Sequence, residues 1–239
     1  MSVTIIKGNI FTSKCKTLVN TVNCVGVMGA GIALECRLRY PNMYEKYINI
    51  CTNNQLSIGM LWLYKSDEKW ILNFPTKKDW KYPSKKEYLH LGLKKFVDTY
   101  ESKDITSIAF PMLGADKGGI AQKESLQIME SYLNSLPIEI EIYQYDQNAK
   151  DDLYEKTRDW LINQDIAEIS RKTKLRKNYI DIVIDAMKSP DIVQLNQLAR
   201  IKGIGIKTLE TLFKTANGLE DNPTRKIGRA IAKPITKQK

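Results

Sequence analysis

The chain has 239 residues, 43% of them hydrophobic, and a formal charge of +10 at neutral pH. That length can bury one substantial core plus a small second module. No apolar run reaches the roughly 18 residues that a membrane-crossing helix needs, and no charged-then-apolar leader opens the chain, so a cytoplasmic protein is expected.

In chain order, residues 3–6 read as a strand closed by Gly8. Residues 17–23 read as a second strand, apolar and β-branched as a buried strand should be. Residues 31–39 carry a helical pattern stopped by Pro41, and residues 43–52 a further short helix. Residues 59–64 and 70–74 look like strands joined by a charged turn. Residues 85–101 are an amphipathic helix, with Leu89, Leu93, Phe96, Val97 and Tyr100 at helical spacing. Residues 107–110 read as a buried strand ending at Pro111, 122–135 as a helix, and 138–145 as a half-exposed strand that alternates isoleucine with Glu139 and Glu141. Strands alternating with helices predict a layered α/β domain over residues 1–148.

Past Asp146 the pattern changes. Residues 151–163, 167–173, 178–187, 193–201 and 207–216 all read as helices, which predicts a small all-α domain over residues 149–221. Its helical runs flank Gly203, Ile204 and Gly205, an arrangement that resembles a helix–hairpin–helix. In that element glycines let backbone amides meet a DNA phosphate, and Lys202 and Lys207 add charge. An ordinary glycine-capped helix turn is the alternative. The tail over 222–239 holds six basic residues and no acidic one, which suits a polyanion such as nucleic acid, or simply a solvated tail.

Cys15, Cys24, Cys36 and Cys51 lack Cys-x-x-Cys spacing, and one histidine, His90, cannot complete a zinc set with them, so no metal site is expected. The cysteines read as reduced packing residues, with Cys24 the one placed in a glycine-rich loop.

Three stretches carry chemistry. The first runs from the strand end at Asn20 and Asn23 into Gly26, Gly29 and Gly31, which open a helix. Such a turn brings backbone amides close to a phosphate at the positive end of a helix dipole. The second, residues 72–80, puts Lys77 and Lys78 just past a strand end. The third, residues 110–120, is another loop of small residues. In an open α/β sheet ligands bind outside such strand ends.

These stretches resemble the macro domain, an ADP-ribose-binding fold, and within it the DarG-type DNA ADP-ribosyl glycohydrolases, antitoxins to DarT toxins. The resemblance covers residues 1–146 and leaves out the C-terminal module. It implies a three-layer α/β/α fold with a mixed sheet. It places the catalytic lysine at Lys77, after Thr76, and puts Asn23 beside the distal ribose and the linked base. Val25, Gly26, Val27, Met28, Gly29, Ala30 and Gly31 become the first phosphate loop, with Asn20 counted among the residues that bind ADP-ribose. Leu113, Gly114, Ala115, Asp116, Lys117, Gly118, Gly119 and Ile120 become the second. Asn9 and Ile10 fall where the adenine is contacted, with asparagine in place of the aspartate many macro domains carry, and Tyr145 is a candidate cover for the base. In the second loop the family's aspartate position falls near Gly118, while Asp116 lies two residues earlier.

Cleaving ADP-ribose from a base builds positive charge at the anomeric carbon. The Lys77 amine can attack the opened sugar aldehyde or support the leaving base; an exposed loop lysine is the alternative. Trp80, Lys81 and Tyr82 follow it, a pattern that can stack a base or simply anchor the domain edge. The implied function is removal of ADP-ribose from modified DNA bases, in an antitoxin or repair role. ADP-ribosylated DNA and a cognate toxin are the implied partners, with no cofactor, metal or membrane. Two alternatives are an ADP-ribose-binding module without turnover and a hydrolase of ADP-ribosylated protein carboxylates.

Overall fold

The structure, a computed structural model, describes residues 3–219. The basic tail expected over 222–239 lies outside the described residues. Two compact units divide the chain, the first running to Asp152 and the second starting at Leu153.

The first unit is built on one six-stranded sheet: β1 (Thr4–Gly8), β2 (Thr17–Val22), β3 (Trp62–Lys65), β4 (Trp70–Pro75), β5 (Ser107–Pro111) and β6 (Glu139–Tyr145). Their order is β1-β6-β5-β2-β4-β3. All neighbours run parallel except β3, which pairs antiparallel with β4 at one edge, so the sheet is mixed. Helices α1 (Gly31–Arg39), α2 (Pro41–Thr52), α3 (Lys86–Thr99) and α4 (Gln122–Leu133) complete the unit.

Alternation along the strands sorts their side chains into two cores. Val19, Leu72, Ile108 and Ile140 pack with Leu89, Leu93 and Phe96 of α3 and with Met129 and Leu133 of α4. Leu18, Ile71, Ala109 and Tyr143 pack with Cys36 of α1 and with Met43, Tyr47 and Cys51 of α2. The result is three layers with helices on both faces. β2 is buried on both sides, and encloses the polar Thr17 and Asn20 along with Leu18, Val19 and Val22.

Three local expectations shift. The strand expected over 59–64 starts only at Trp62, because Gly59 sits at φ +85° in a turn closed by the Met60 amide on the Ser57 carbonyl. Pro41 stops one helix and opens the next: it lies in the first turn of α2, where a missing N–H costs nothing. The long helix ends at Thr99, and a 3-10 turn follows at Glu101–Lys103.

Gly92 sits in the middle of α3, where helix propensity disfavours glycine. A Cβ there would overlap the ring of Phe74 on β4. The glycine therefore lets α3 lie close on the strand that leads to Thr76 and Lys77.

The end of the first unit is fastened by charge. Arg39 is buried at the close of α1 and binds Glu35 at 2.8 Å, Asp151 at 3.3 Å and Asp152 at 2.7 Å. Its guanidinium also lies 4.2 Å from the centre of the Phe11 ring. Burial works against ionising Asp152, but the guanidinium outweighs it and holds the carboxyl below its ordinary range.

The described part of the second unit holds α5 (Tyr154–Asn163), α6 (Ile166–Thr173), α7 (Lys177–Lys188) and α8 (Ile206–Asn217). Leu161, Ile169, Ile180, Val183, Met187, Leu198, Leu212 and Phe213 are among its buried apolar residues. The helix expected over 193–201 is instead a 3-10 segment, Leu195–Arg200. The Gln197 side chain accepts from the Val193 and Gln194 amides at 2.8 and 3.1 Å, and this tightens the turn. Among the described residues no helix is long and apolar enough to cross a membrane.

Two predictions follow from this packing. Gly92→Ala gains about 1 kcal/mol of helix propensity but incurs an overpacking cost of about 1–3 kcal/mol or more against Phe74, so a lower urea midpoint is expected. Arg39→Met strips two buried carboxylates of their shared guanidinium and should lower unfolding stability by about 3 kcal/mol, read from the same denaturation curves.

Candidate functional site

β5, β2 and β4 are consecutive in the sheet and parallel, so the loops that follow them leave from one edge. Their pairing carries Val22 opposite Pro75, which sets Asn23 beside Thr76. Backbone hydrogen bonds then join the loops. The Thr76 amide donates to Val22 O at 3.0 Å, the Cys24 amide to Lys78 O at 3.1 Å, and the Ser84 amide to Gly118 O at 2.9 Å. The segment 76–84 is thus a strap tied to the first glycine loop at one end and to the second at the other. Gly118 is where the strap comes closest: a Cβ there would lie 2.7 Å from Ser84 Oγ.

The first loop is held from within. Asn23 is buried, and its Oδ1 accepts from the amides of Val25 at 3.0 Å and Val27 at 3.2 Å. Its Nδ2 donates to Val27 O at 2.5 Å. Beneath it Tyr47 of α2 directs its hydroxyl at Asn23 O, 2.7 Å away, and at Oδ1, 3.1 Å away. Gly26 takes φ +82° to complete the turn. Val25, Val27, Gly29, Ala30 and Gly31 are exposed along this loop, while Met28 is fully buried below it. Asn20 is also fully buried, and its amide nitrogen donates to Asn73 Oδ1 at 2.9 Å across β2 and β4. Asn20 and Met28 therefore support the loop from underneath and do not present side chains at its rim.

The second loop closes on itself, with the Ile120 amide on Gly114 O at 3.0 Å and the Gly118 amide on Ala115 O at 2.7 Å. Gly114 adopts φ +65° with no room for a side chain, since a Cβ would lie 2.8 Å from Ile120 Cδ1. Leu113, Ala115 and Ile120 are buried anchors; Asp116, Lys117 and Gly119 are exposed. Asp116 takes a left-handed φ of +44°, unusual for a residue with a side chain.

Lys77 is half-buried, and its Nζ donates to Lys117 O of the second loop at 2.6 Å. Because β2 lies between β4 and β5, this contact crosses the end of β2, where the first loop departs. Thr76 is buried beside it. At the same edge, Gly8 pairs with Tyr145 and brings Asn9, Ile10 and Tyr145 together. Asn9 is buried; its Oδ1 accepts from Phe11 N at 3.1 Å, while its Nδ2 has no hydrogen-bond partner among the described residues. Ile10 is buried in the core and Tyr145 is exposed.

In the second unit Lys202, Gly203, Gly205 and Lys207 are all exposed around the buried Ile204. Gly203 takes φ +93°, and Gly205 is the residue that caps α8. The first arm of the expected hairpin is the 3-10 segment, not an α-helix.

Sequence reasoning passed over Tyr47, Ser84 and Gly92. Tyr47 lies on the buried stripe Met43, Tyr47, Cys51, and a phenol in such a stripe must find a polar partner. Burial raises the Cys24 thiol to about 11, with Cys51 adding to the shift and Lys78 opposing it. At the opposite end of the strands Cys15, Glu139 and Glu141 bring ligand-type atoms within 4.8 Å of one another. Burial likewise pushes the Cys15 thiol up to about 11, and Lys69 donates to the adjacent Ser13 and Cys15 carbonyls at 2.8 and 2.5 Å. A thiol held protonated beside an amine is a poor cation ligand.

Comparison with known proteins fits this geometry. The Macro domain family profile matches residues 19–129. A DNA ADP-ribosyl glycohydrolase of Thermus aquaticus is 38% identical over 150 residues, which are 61% of this chain and 42% of that protein. One from Mycobacterium tuberculosis is 39% identical over 134 residues, 54% of this chain and 38% of that protein. The chain thus spans less than half the length of these curated relatives. Among solved structures, the macrodomain of Mycobacterium tuberculosis DarG superposes with a TM-score of 0.57 at 38% identity, covering 59% of this chain and 96% of that one. Thermosipho africanus DarTG in complex with ADP-ribose gives a TM-score of 0.58 at 32% identity, covering 61% and 42%. With nearly all of a 38% identical macrodomain matched, this chain belongs, through its first unit, to the macro domain family.

Proposed function

We propose that the first unit binds ADP-ribose across the two glycine loops and cleaves it from a modified DNA base. The observation that carries this reading is the Lys77 amine, which reaches 2.6 Å from Lys117 O and so spans the end of β2 between the loops. Loops rich in backbone amides at a helix start suit a pyrophosphate. An amine at their junction meets the sugar carbon that bears the base, or the atom that leaves it. Charge developing there in the transition state is what a fixed donor stabilises best. Asn23 acts in this reading by holding the first loop to Tyr47, its side-chain amide being spent on the Val25 and Val27 backbone. Asn9, with an unpartnered Nδ2, serves the adenine end. The printed names of the Thermus and Mycobacterium relatives, DNA ADP-ribosyl glycohydrolase, support the reaction class and the substrate.

The second unit is proposed to hold the DNA backbone through Lys202, Gly203, Gly205 and Lys207. The left-handed glycine and the start of α8 supply amides, and the lysines supply charge. A Thermosipho africanus relative is named as a fusion of a DNA ADP-ribosyl transferase with a DNA ADP-ribosyl glycohydrolase. That name supports a DNA ADP-ribosyl transferase as partner, and with it we propose an antitoxin role in the cytoplasm, where the four thiols would stay free.

Three substrates test the reaction: an ADP-ribosylated oligonucleotide, an ADP-ribosylated protein carboxylate, and free ADP-ribose in a binding titration. Release from the oligonucleotide is expected, with Lys77→Ala slower by about 100-fold or more while ADP-ribose affinity stays within a few-fold. Equal rates for wild type and variant would remove Lys77 from the chemistry. Turnover only of the protein substrate, or tight binding with no turnover at all, would select the alternative readings. For the second unit, Lys202→Glu with Lys207→Glu should weaken DNA binding and flatten the log–log salt slope by about 1 per lysine lost, measured by anisotropy across a salt series.

A further inference from the structure

Trp80 and Tyr82 are the most exposed large apolar side chains among the described residues, at 52% and 66%. An aromatic pair that served to anchor the edge of the first unit would be covered. Neither side chain takes part in a hydrogen bond among the described residues. Both stand on the strap that carries Lys77, and that strap is fixed. Lys78 O and the Ser84 amide tie it to the two glycine loops. Inside it, the Lys81 amide donates to Asp79 Oδ1 at 3.0 Å and the Tyr82 amide to Asp79 O at 3.3 Å. The rings are therefore presented on a held turn, which lowers the entropy lost on stacking.

The charge around them has one sign. From Lys77 to Lys86 there are five lysines and one aspartate. Lys86 is paired with Glu124, but Lys78, Lys81 and Lys85 have no carboxylate partner among the described residues. Lys81 Nζ lies over the Trp80 ring, 5.7 Å from its centre, so the aromatic surface carries a cation of its own. Exposed aromatic faces interleaved with lysines match the two needs of a single nucleic-acid strand: a π surface for each base and charge for the backbone. Trp80 follows Lys77 by three residues, at most about 11 Å of chain.

We propose that Trp80 and Tyr82 form a stacking platform for the bases that flank the modified nucleotide in single-stranded DNA. The proposal rests on the reading of Lys77 as the site of cleavage. A base bearing ADP-ribose must leave the helical stack to reach that amine, and its neighbours then lose a stacking partner. The platform supplies the replacement.

The test uses the full chain carrying Lys202→Glu and Lys207→Glu, so that binding by the second unit does not mask the effect. Trp80→Ala, Tyr82→Ala and the conservative Trp80→Phe are compared on two readouts. The first is anisotropy with an unmodified, labelled oligothymidylate strand. Each alanine variant is expected to bind about tenfold more weakly, with Trp80→Phe close to the parent and ADP-ribose affinity unchanged. The second is kinetics on an ADP-ribosylated oligonucleotide against an ADP-ribosylated mononucleotide. KM for the oligonucleotide should rise about tenfold at constant kcat, with mononucleotide kinetics untouched. Unaltered binding of the single strand, an equal loss on both substrates, or a loss confined to duplex DNA, RNA or acidic peptide would overturn the platform. If no version of the protein releases ADP-ribose, the hydrolase reading fails, and the oligothymidylate titration alone still decides whether the platform exists.

Discussion

Everything at the candidate site depends on the strap between Thr76 and Ser84 being hydrogen-bonded at both ends. Cys24 N on Lys78 O fixes one end and Ser84 N on Gly118 O the other. Without these bonds the two glycine loops would be independent turns at the ends of β2 and β5, and Lys77 would hang from β4 with no fixed relation to either. With them, the three loops form one rim. Main-chain bonds of this kind are modest one by one, but each replaces a backbone group that would otherwise need water at a partly buried edge. The amide ties also place few demands on side-chain identity in the strap, which lets Lys77 reach across to Lys117 O while Trp80 and Tyr82 face outward.

Support for that rim comes from beneath. Tyr47 and Asn23 form a buried link between α2 and the first loop. Asn20 and Asn73 form a second polar pair one layer down, across β2 and β4. Gly92 sets the distance between α3 and the strand that delivers Lys77. Polar pairs in an apolar surround are costly unless satisfied, and so they favour one arrangement over its near competitors. The Arg39 cluster does the same at the end of the first unit, where three carboxylates converge on one buried guanidinium.

Much of the fold was legible in the residues. Apolar patterning placed the six strands and the eight α-helices found among the described residues, because most of those elements bury a face at their own spacing. The start of β3 was misjudged because Gly59 and Met60 continue an apolar pattern while the backbone turns. The segment before Ile201 was read as α-helix because its apolar spacing fits one; the side chain of Gln197, bonding its own neighbours' amides, decides otherwise. At the site, the glycine spacing and the lysine after Thr76 were readable. The burial of Asn20 and Met28 was not, since nothing local distinguishes a polar residue at the rim from one paired across strands. Tyr47, Ser84 and Gly92 act through partners distant in sequence, and only the fold brings those partners to them.

Cys24 shows what such a rim implies for chemical durability. Its sulfur lies in the first glycine loop, yet surrounding apolar matter holds the thiol near 11. At neutral pH the reactive anion is then scarce, and peroxides and electrophiles act on the anion. A glycine-rich turn can therefore carry a sulfur that reacts slowly with oxidants.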